Sequence, residues 1–415
     1  MKQAKVFGTS PNLNRQKVFT LAQKIILLFM FLGAINFVGR YYYCVYIAFL
    51  LFMAFEKGKI RPSVSLFSLV LLSLFVLLFD DSWSGITDMI KPFTYPICFV
   101  MGYNLLNVQN NVTVESKEKA LGNIIFLVAF ANFIHFALNM ITNFGSLSRN
   151  TIDFWTKSIL SATGQMALAC LAIGVACAFL FSNSKPGHKV LSVIILTSIL
   201  AYNLILAGRT LIVMIAGILA VSYIYYMIKS DDRIKKLKVF IWVIAIFALI
   251  AVCYGIDLFG IRTAVEQSNL YNRFFGEYSV INVEEDSRLD YKLAYISKML
   301  SYPFGGNHIF AEVGTYAHDL LLDTYDRSGV FTFLAVLIYI ISSIANMVKI
   351  LKSTNSSFFI KQLVLCTYIV LYMEFLVEPI LIGMPWLFAT FCFIDGAVSK
   401  LITEMSRAEK KTLRI

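Results

Sequence analysis

Two short stretches of this 415-residue chain place side chains capable of chemistry next to long apolar runs. The first is Ala207-Gly208-Arg209-Thr210, a turn of a few residues between two such runs. A guanidinium there lies at the headgroup level of a membrane or in a cavity between helices, where charge is costly and commonly functional. The plainer alternative is an arginine that snorkels to lipid phosphate. The second stretch begins with the turn Tyr302-Pro303-Phe304-Gly305-Gly306 and continues through His318-Asp319-Leu320-Leu321-Leu322-Asp323 to Asp326-Arg327-Ser328-Gly329. With an ordinary pKa near ~6.5, an imidazole at 318 can take up a proton at neutral pH; it can equally be a capping or packing histidine. Asp323 and Arg327 stand four apart on one expected helix and are spaced to pair with each other.

The elements that must position these residues are membrane spans. Hydrophobic residues make up 58% of the chain and charged residues 15%, against about 25% charged in soluble domains. There is too little polar surface to face water on every side. A span needs about 20 mostly apolar residues. On that basis the expected spans are 18–38, 41–55, 63–79, 86–106, 121–142, 159–182, 189–207, 210–228, 239–258, 329–348, 363–380 and 383–402. The fold expected is therefore all-α and polytopic, with about twelve transmembrane helices. The N-terminus is polar and basic with no small-residue cleavage site after the first apolar run, so that run is expected to be retained.

Charge gives the orientation. With both termini cytoplasmic, most of the 36 basic residues fall in inside segments, among them Lys57, Lys59 and Arg61, the group Arg233 to Lys238, and Lys349 and Lys352. The net charge of +11 is thus explained by orientation and by anionic lipid, and no nucleic-acid partner is expected. The organisation read from this is a membrane bundle over 1–258, a large extracytoplasmic loop over 259–328, further spans over 329–402 and a basic tail over 403–415. The loop has mixed charge, including Arg273, Arg288 and Lys292, and Leu293, Ile296 and Leu300 fall at helical spacing, which predicts a short amphipathic helix over 290–300.

Other residues were weighed for chemistry. The seven cysteines all lie in apolar runs without a CxxC pair or a Cys/His cluster, and read as small buried hydrophobes. Asp80-Asp81, at the end of the third run, reads as a solvated helix end or a divalent-ion site. Glu374 and Glu378, four apart, read as partners of a cavity arginine, as lining of a sugar cavity, or as an ion path. Tyr41–Tyr43, Trp83, Trp155 and Trp386 fit interfacial belts.

In order and placement, the residues from Ser287 through Leu337 resemble the signature of the O-antigen polymerase and ligase superfamily. Arg288 precedes the amphipathic helix, Pro303 to Gly306 form a Pro-x-x-Gly turn, His318 to Leu322 stand at the His-Asn-x-x-Leu motif, and Asp326 to Gly329 stand at the acidic step into the next span. Ala207–Thr210 resembles the family's upstream arginine turn, while Asp319 stands where the family usually carries Asn.

The resemblance implies a bacterial cytoplasmic-membrane glycosyltransferase acting on an oligosaccharide carried by undecaprenyl pyrophosphate. It casts Arg209 and Arg288 as a clamp on the pyrophosphate and His318 as the base that deprotonates the attacking hydroxyl, with inversion at the anomeric carbon. Asp319, Arg273, Lys292 and Arg327 are the expected substrate contacts. The scheme calls for no metal and no cofactor, and its protein partners are a chain-length regulator and a flippase. Transfer of finished polymer to another acceptor is a close variant. A transporter of lipid-linked oligosaccharide is the rival class; such carriers tend to show paired halves and broken midplane helices, whereas here the polar residues gather in one outer loop.

Overall fold

The structure is a computed structural model that describes residues 19–55, 58, 60–80, 85–106, 113–144, 150–182, 184–230, 233–275 and 287–412. It is built almost wholly of α-helices, as the long apolar runs dictate.

Side-chain caps start many of them. Thr20 caps α1 (Leu21–Ala34) in a capping box with Gln23, and α2 (Tyr41–Phe55) follows after a short turn. Ser63 caps α3 (Val64–Phe79), Thr113 caps α6 (Val114–Thr142) and Ser161 caps α7 (Ala162–Leu180). Each hydroxyl accepts a backbone N–H that the first helical turn leaves without an internal partner. Between α3 and α6, Pro92 lies in a 3₁₀ turn that separates α4 (Ile86–Ile90) from α5 (Thr94–Leu105). A two-stranded antiparallel hairpin, β1 (Thr151–Ile152) and β2 (Ile159–Leu160), fills the connection from α6 to α7, with Thr151 opposite Leu160. Next come α8 (Pro186–Leu206), α9 (Arg209–Lys229) and α10 (Arg233–Gly255).

The segment read as a loop carries four short helices among the described residues: α11 (Ile261–Glu266), α12 (Asn269–Phe275), α13 (Ser287–Lys298) and α14 (His308–Val313). Of these, α13 occupies the position where the apolar spacing predicts an amphipathic helix. The chain then enters α15 (Leu320–Lys352), α16 (Phe358–Phe375), α17 (Ile380–Gly383) and α18 (Pro385–Thr412).

Seven of these helices are long and apolar enough to cross a membrane: α6, α7, α8, α9, α15, α16 and α18. The chain is a membrane-embedded helical protein, but the count of twelve spans is not met among the described residues. α1, α2 and α3 have 14, 15 and 16 residues. At ~1.5 Å per residue they fall short of a hydrocarbon core about 30 Å thick. The run 86–106 is divided at Pro92, leaving α5 with 12 residues. α10 has 23 residues, but several of its side chains lie outside the described residues.

Small residues bring the central helices together. A Cβ on Gly102 of α5 would lie 2.0 Å from the Phe393 carbonyl of α18, and one on Gly396 would lie 2.1 Å from the Phe99 carbonyl of α5. The two backbones are in contact, which only glycine permits. α7 is the most enclosed span, packed among α6, α8, α9 and α16. The cysteines are free, all buried except the half-buried Cys253, and act as core packing. On another side α3 packs along α15. The α3–α15 pair and the α7–α16 pair hold the elements that carry the site.

Candidate active site

His318 is presented by a pinned backbone. Asp319 caps α15, its carboxylate accepting the N–H groups of Leu321 and Leu322. One turn further, Asp323 accepts the N–H groups of Ala317 and Asp319, each at 2.8 Å. Residues on both sides of the histidine are thus tied to the helix start, and His318 itself adopts φ 54, a left-handed conformation that costs a non-glycine residue of the order of 1 kcal/mol or more. The ring is directed to the wall of a cavity of about 560 Å³ that Glu378, Thr163, Asp153, Lys91 and Trp386 also line.

The imidazole is half-buried, and its Nδ1 has no hydrogen-bond partner among the described residues. Oε2 of Glu378 lies 4.0 Å from that nitrogen. Burial and, after it, the positive charges of Arg288 and Lys292 push the His318 pKa down to about 4. At neutral pH the ring is therefore uncharged and holds a lone pair free to take a proton.

Arg288 and Lys292 lie one turn apart on α13 and fasten it to the turn that follows α16. Arg288 donates from Nη1 to the Val377 carbonyl at 3.2 Å and from Nη2 to Oε1 of Glu378 at 3.3 Å. Lys292 donates to Oδ2 of Asp319 at 3.2 Å and to the Leu376 carbonyl. Burial pushes the Glu378 pKa up, against the opposing effect of Arg288. Pro379 ends the helix at this point and lifts Glu378 out of α16, leaving it as the group that faces both the guanidinium and the imidazole.

Arg327 occupies a separate position. The expected pair with Asp323 does not form, because the Asp323 carboxylate is taken up by the backbone of 317 and 319. Arg327 instead pairs with Asp80, the buried residue that ends α3. Asp80 is thus neither a solvated helix end nor free for an ion, and Asp81 and Trp83 lie outside the described residues. Among the described residues no group of three or more His, Cys, Asp or Glu is placed to hold a metal ion. Arg327 lines a second cavity of about 290 Å³ with Tyr95, Thr324 and Ser328. Lys91, Ile382 and Pro385 line both cavities, so the two lie on either side of α17.

Arg209 opens α9 and is half-buried. The turn before it is set by Asn203, whose amide donates to the Gly208 carbonyl at 3.0 Å while its Oδ1 accepts the Gly208 N–H at 3.1 Å. A Cβ on Gly208 would overlap the methyl of Met166, 1.2 Å away. That contact seats the turn on α7 one turn from Thr163, a cavity residue. Arg209 does not itself line the larger cavity. Arg273 falls on α12, but its side chain lies outside the described residues.

The structure thus brings His318, Arg288, Lys292 and Asp319 together, with Asp319 acting as a helix cap and a lysine partner. Arg327 lines the second cavity, and Arg209 lines neither. What residue-by-residue reading overlooks is another part of the cavity wall, where Asp153 follows β1. Its Oδ2 accepts from Nε2 of the fully buried His135 at 2.7 Å, and its Oδ1 accepts the N–H groups of Trp155 and Thr156. Asn139 joins them, donating to Gln165 at 2.9 Å and accepting from the Phe154 N–H at 2.7 Å. Despite its burial, these bonds, led by His135, hold the Asp153 pKa below the usual carboxylate range. Nothing in the local sequence marks this pair, since His135 and Asp153 sit in unrelated stretches.

Comparison of the chain with protein-family models and with curated protein sequences gives no match.

Proposed function

We propose that this protein is a membrane glycosyltransferase of the O-antigen polymerase and ligase type, acting in the bacterial cytoplasmic membrane with both termini in the cytoplasm. One observation carries the reading: a neutral imidazole borders a cavity, 4.0 Å from a carboxylate, Glu378, that also engages an arginine. The motif order from Arg288 to Gly329 supports the family, and the apolar helices supply the setting that a lipid-borne substrate needs.

In this reading a hydroxyl of the acceptor sugar attacks the anomeric carbon of the donor glycan. His318 takes the hydroxyl proton as the new C–O bond forms. The bond from the anomeric carbon to pyrophosphate breaks with its electron pair, and undecaprenyl pyrophosphate leaves. Arg288, with Arg209 on the α7 side, stabilises the charge on the leaving oxygens, a task suited to planar, permanently charged forks. Holding two lipid-linked substrates side by side lowers the barrier further by pre-paying their loss of freedom. The acceptor is a fresh lipid-linked repeat unit; transfer to a different surface acceptor uses the same residues. Length control falls to a separate regulator, and a flippase delivers the substrate.

The test is reconstitution. Purified protein in liposomes is incubated with lipid-linked repeat unit, and the products are resolved on a gel. A ladder of oligomers supports a polymerase, while label that crosses the bilayer without a ladder supports the transporter class. His318→Ala is expected to abolish the ladder at an unchanged protein level, and Arg209→Lys to impair it severely. Normal ladders from both variants would remove these residues from the mechanism.

A further inference from the structure

The helix α13 and the turn that follows it leave a row of large apolar side chains exposed among the described residues. Leu289, Leu293, Ile296 and Leu300 follow one another at helical spacing on one stripe. Leu293 is 55% exposed, Ile296 54% and Leu300 94%. The helix cannot roll to bury them. On one flank Arg288 and Lys292 are held by the 376–378 turn, and the buried Tyr295 donates its hydroxyl to the Thr315 carbonyl at 2.9 Å. On the other flank Asp290 and Ser297 are exposed.

Where the stripe ends, the apolar surface continues. Phe304, itself exposed, stacks on Phe79 of α3 at 6.2 Å, and Phe79 stacks on Phe331 of α15 at 6.0 Å. Phe331 begins the outward stripe of that span, followed by Leu334, Ile338 and Ile341, all exposed. The loop from 303 to 306 is bonded to the same level of α15, with the Val330 N–H donating to the Pro303 carbonyl at 2.9 Å. The turn that follows the apolar row is therefore joined to a surface that acyl chains must cover.

We infer that α13 is an interfacial helix, lying along the membrane surface with its Leu289, Leu293 and Ile296, and Leu300 of the turn after it, sunk among phospholipid chains. A helix with one apolar stripe, little overall hydrophobicity and basic residues on its flank adopts this position. The arrangement places Arg288 and Lys292 at the depth of lipid phosphates. The inference stands on the surface of α13 and does not require the glycosyl-transfer reading.

The experiment places the photo-crosslinking residue p-benzoylphenylalanine at 293, 297 or 300 of the full chain. Each variant is reconstituted in vesicles of phosphatidylethanolamine and phosphatidylglycerol, irradiated and analysed by mass spectrometry. Phospholipid adducts at 293 and 300, with few at 297, support the inference. Adducts between two copies of the chain at 293 and 300 would assign the stripe to self-association and overturn it. Equal phospholipid labelling at all three positions, or none at any, would also overturn it. Because the readout is the identity of the adduct, loss of oligomer ladders in these variants bears on the proposed reaction alone.

Discussion

Two histidine–carboxylate pairs border the larger cavity, one through Asp153 and the other through His318 and Glu378, and they are built differently. His135 is fully buried, and Asp153 meets it at 2.7 Å while also accepting bonds from the backbone of the hairpin and from Asn139. His318 is half-buried, and Glu378 stands 4.0 Å away with its other oxygen engaged by Arg288. In the first pair both carboxylate oxygens are taken up by fixed partners, so it fixes a connection between two helices. In the second the ring stands on the cavity wall, too far from its carboxylate for a hydrogen bond, and that carboxylate touches a cation that a substrate anion can compete for. Proximity of an imidazole to a carboxylate is common to both, and a ring that borders the cavity is what separates chemistry from scaffold.

The comparison breaks or holds on mutation. His318→Ala is expected to lower ladder synthesis by at least ~100-fold, the usual range for loss of a general base, with little change in thermal unfolding. Asp153→Ala is expected to do the reverse, costing about 3 kcal/mol of stability by leaving His135 and several N–H groups buried without a partner. Thermal unfolding in detergent, run beside the ladder assay, reads both. If Asp153→Ala were stable but inactive, the two pairs would have to exchange roles.

Arg288→Lys is expected to reduce the rate about tenfold, since one charge-assisted bond of the fork is lost. Titration sharpens the contrast further. With the His318 pKa near 4, the ladder-forming rate is expected to hold as pH falls through about 6.5, the ordinary value, and to decline only toward about 4. Between those values an unfolded chain binds a proton at 318 that the folded chain does not. The contribution to stability is therefore intact above about 6.5 and is lost as pH falls to about 4. A rate profile that breaks near 6.5 would mean that the ring is not held in this environment. The smallest effect is expected for Asp319→Asn. Asparagine caps a helix about as well as aspartate, and the partly exposed pair with Lys292 is worth at most about 1 kcal/mol.

Much of the helical layout was legible in the chain because unbroken apolar runs have no other way to satisfy their backbone in lipid. The count failed where a run is apolar but short, as in α1 to α3, and where Pro92 divides one. The helix before the Pro-Phe-Gly-Gly turn was legible from the spacing of three side chains. The cap by Asp319 was not read from the sequence, and neither was the partner of Arg327, because α3 and α15 are distant in sequence and only folding brings Asp80 within reach. The sequence offers Glu378 as a partner for a cavity arginine, and Pro379 is the local signal that it leaves the span. His135 and Asp153 left no such trace, since a buried polar pair in loop and helix carries no period.

The joint between the 303–306 turn and α15 has a hereditary consequence. Gly305 and Gly329 both take positive φ, and a Cβ on either would come within 2.7 Å of the other's strand of backbone. Gly329 is also where α15 breaks its helical course, at φ 78 and ψ −175. An alanine at one position cannot be relieved by shrinking the other, because nothing smaller than hydrogen exists to substitute. Among descendants of this gene, loss of either glycine should therefore be confined to lineages where the turn has been rebuilt.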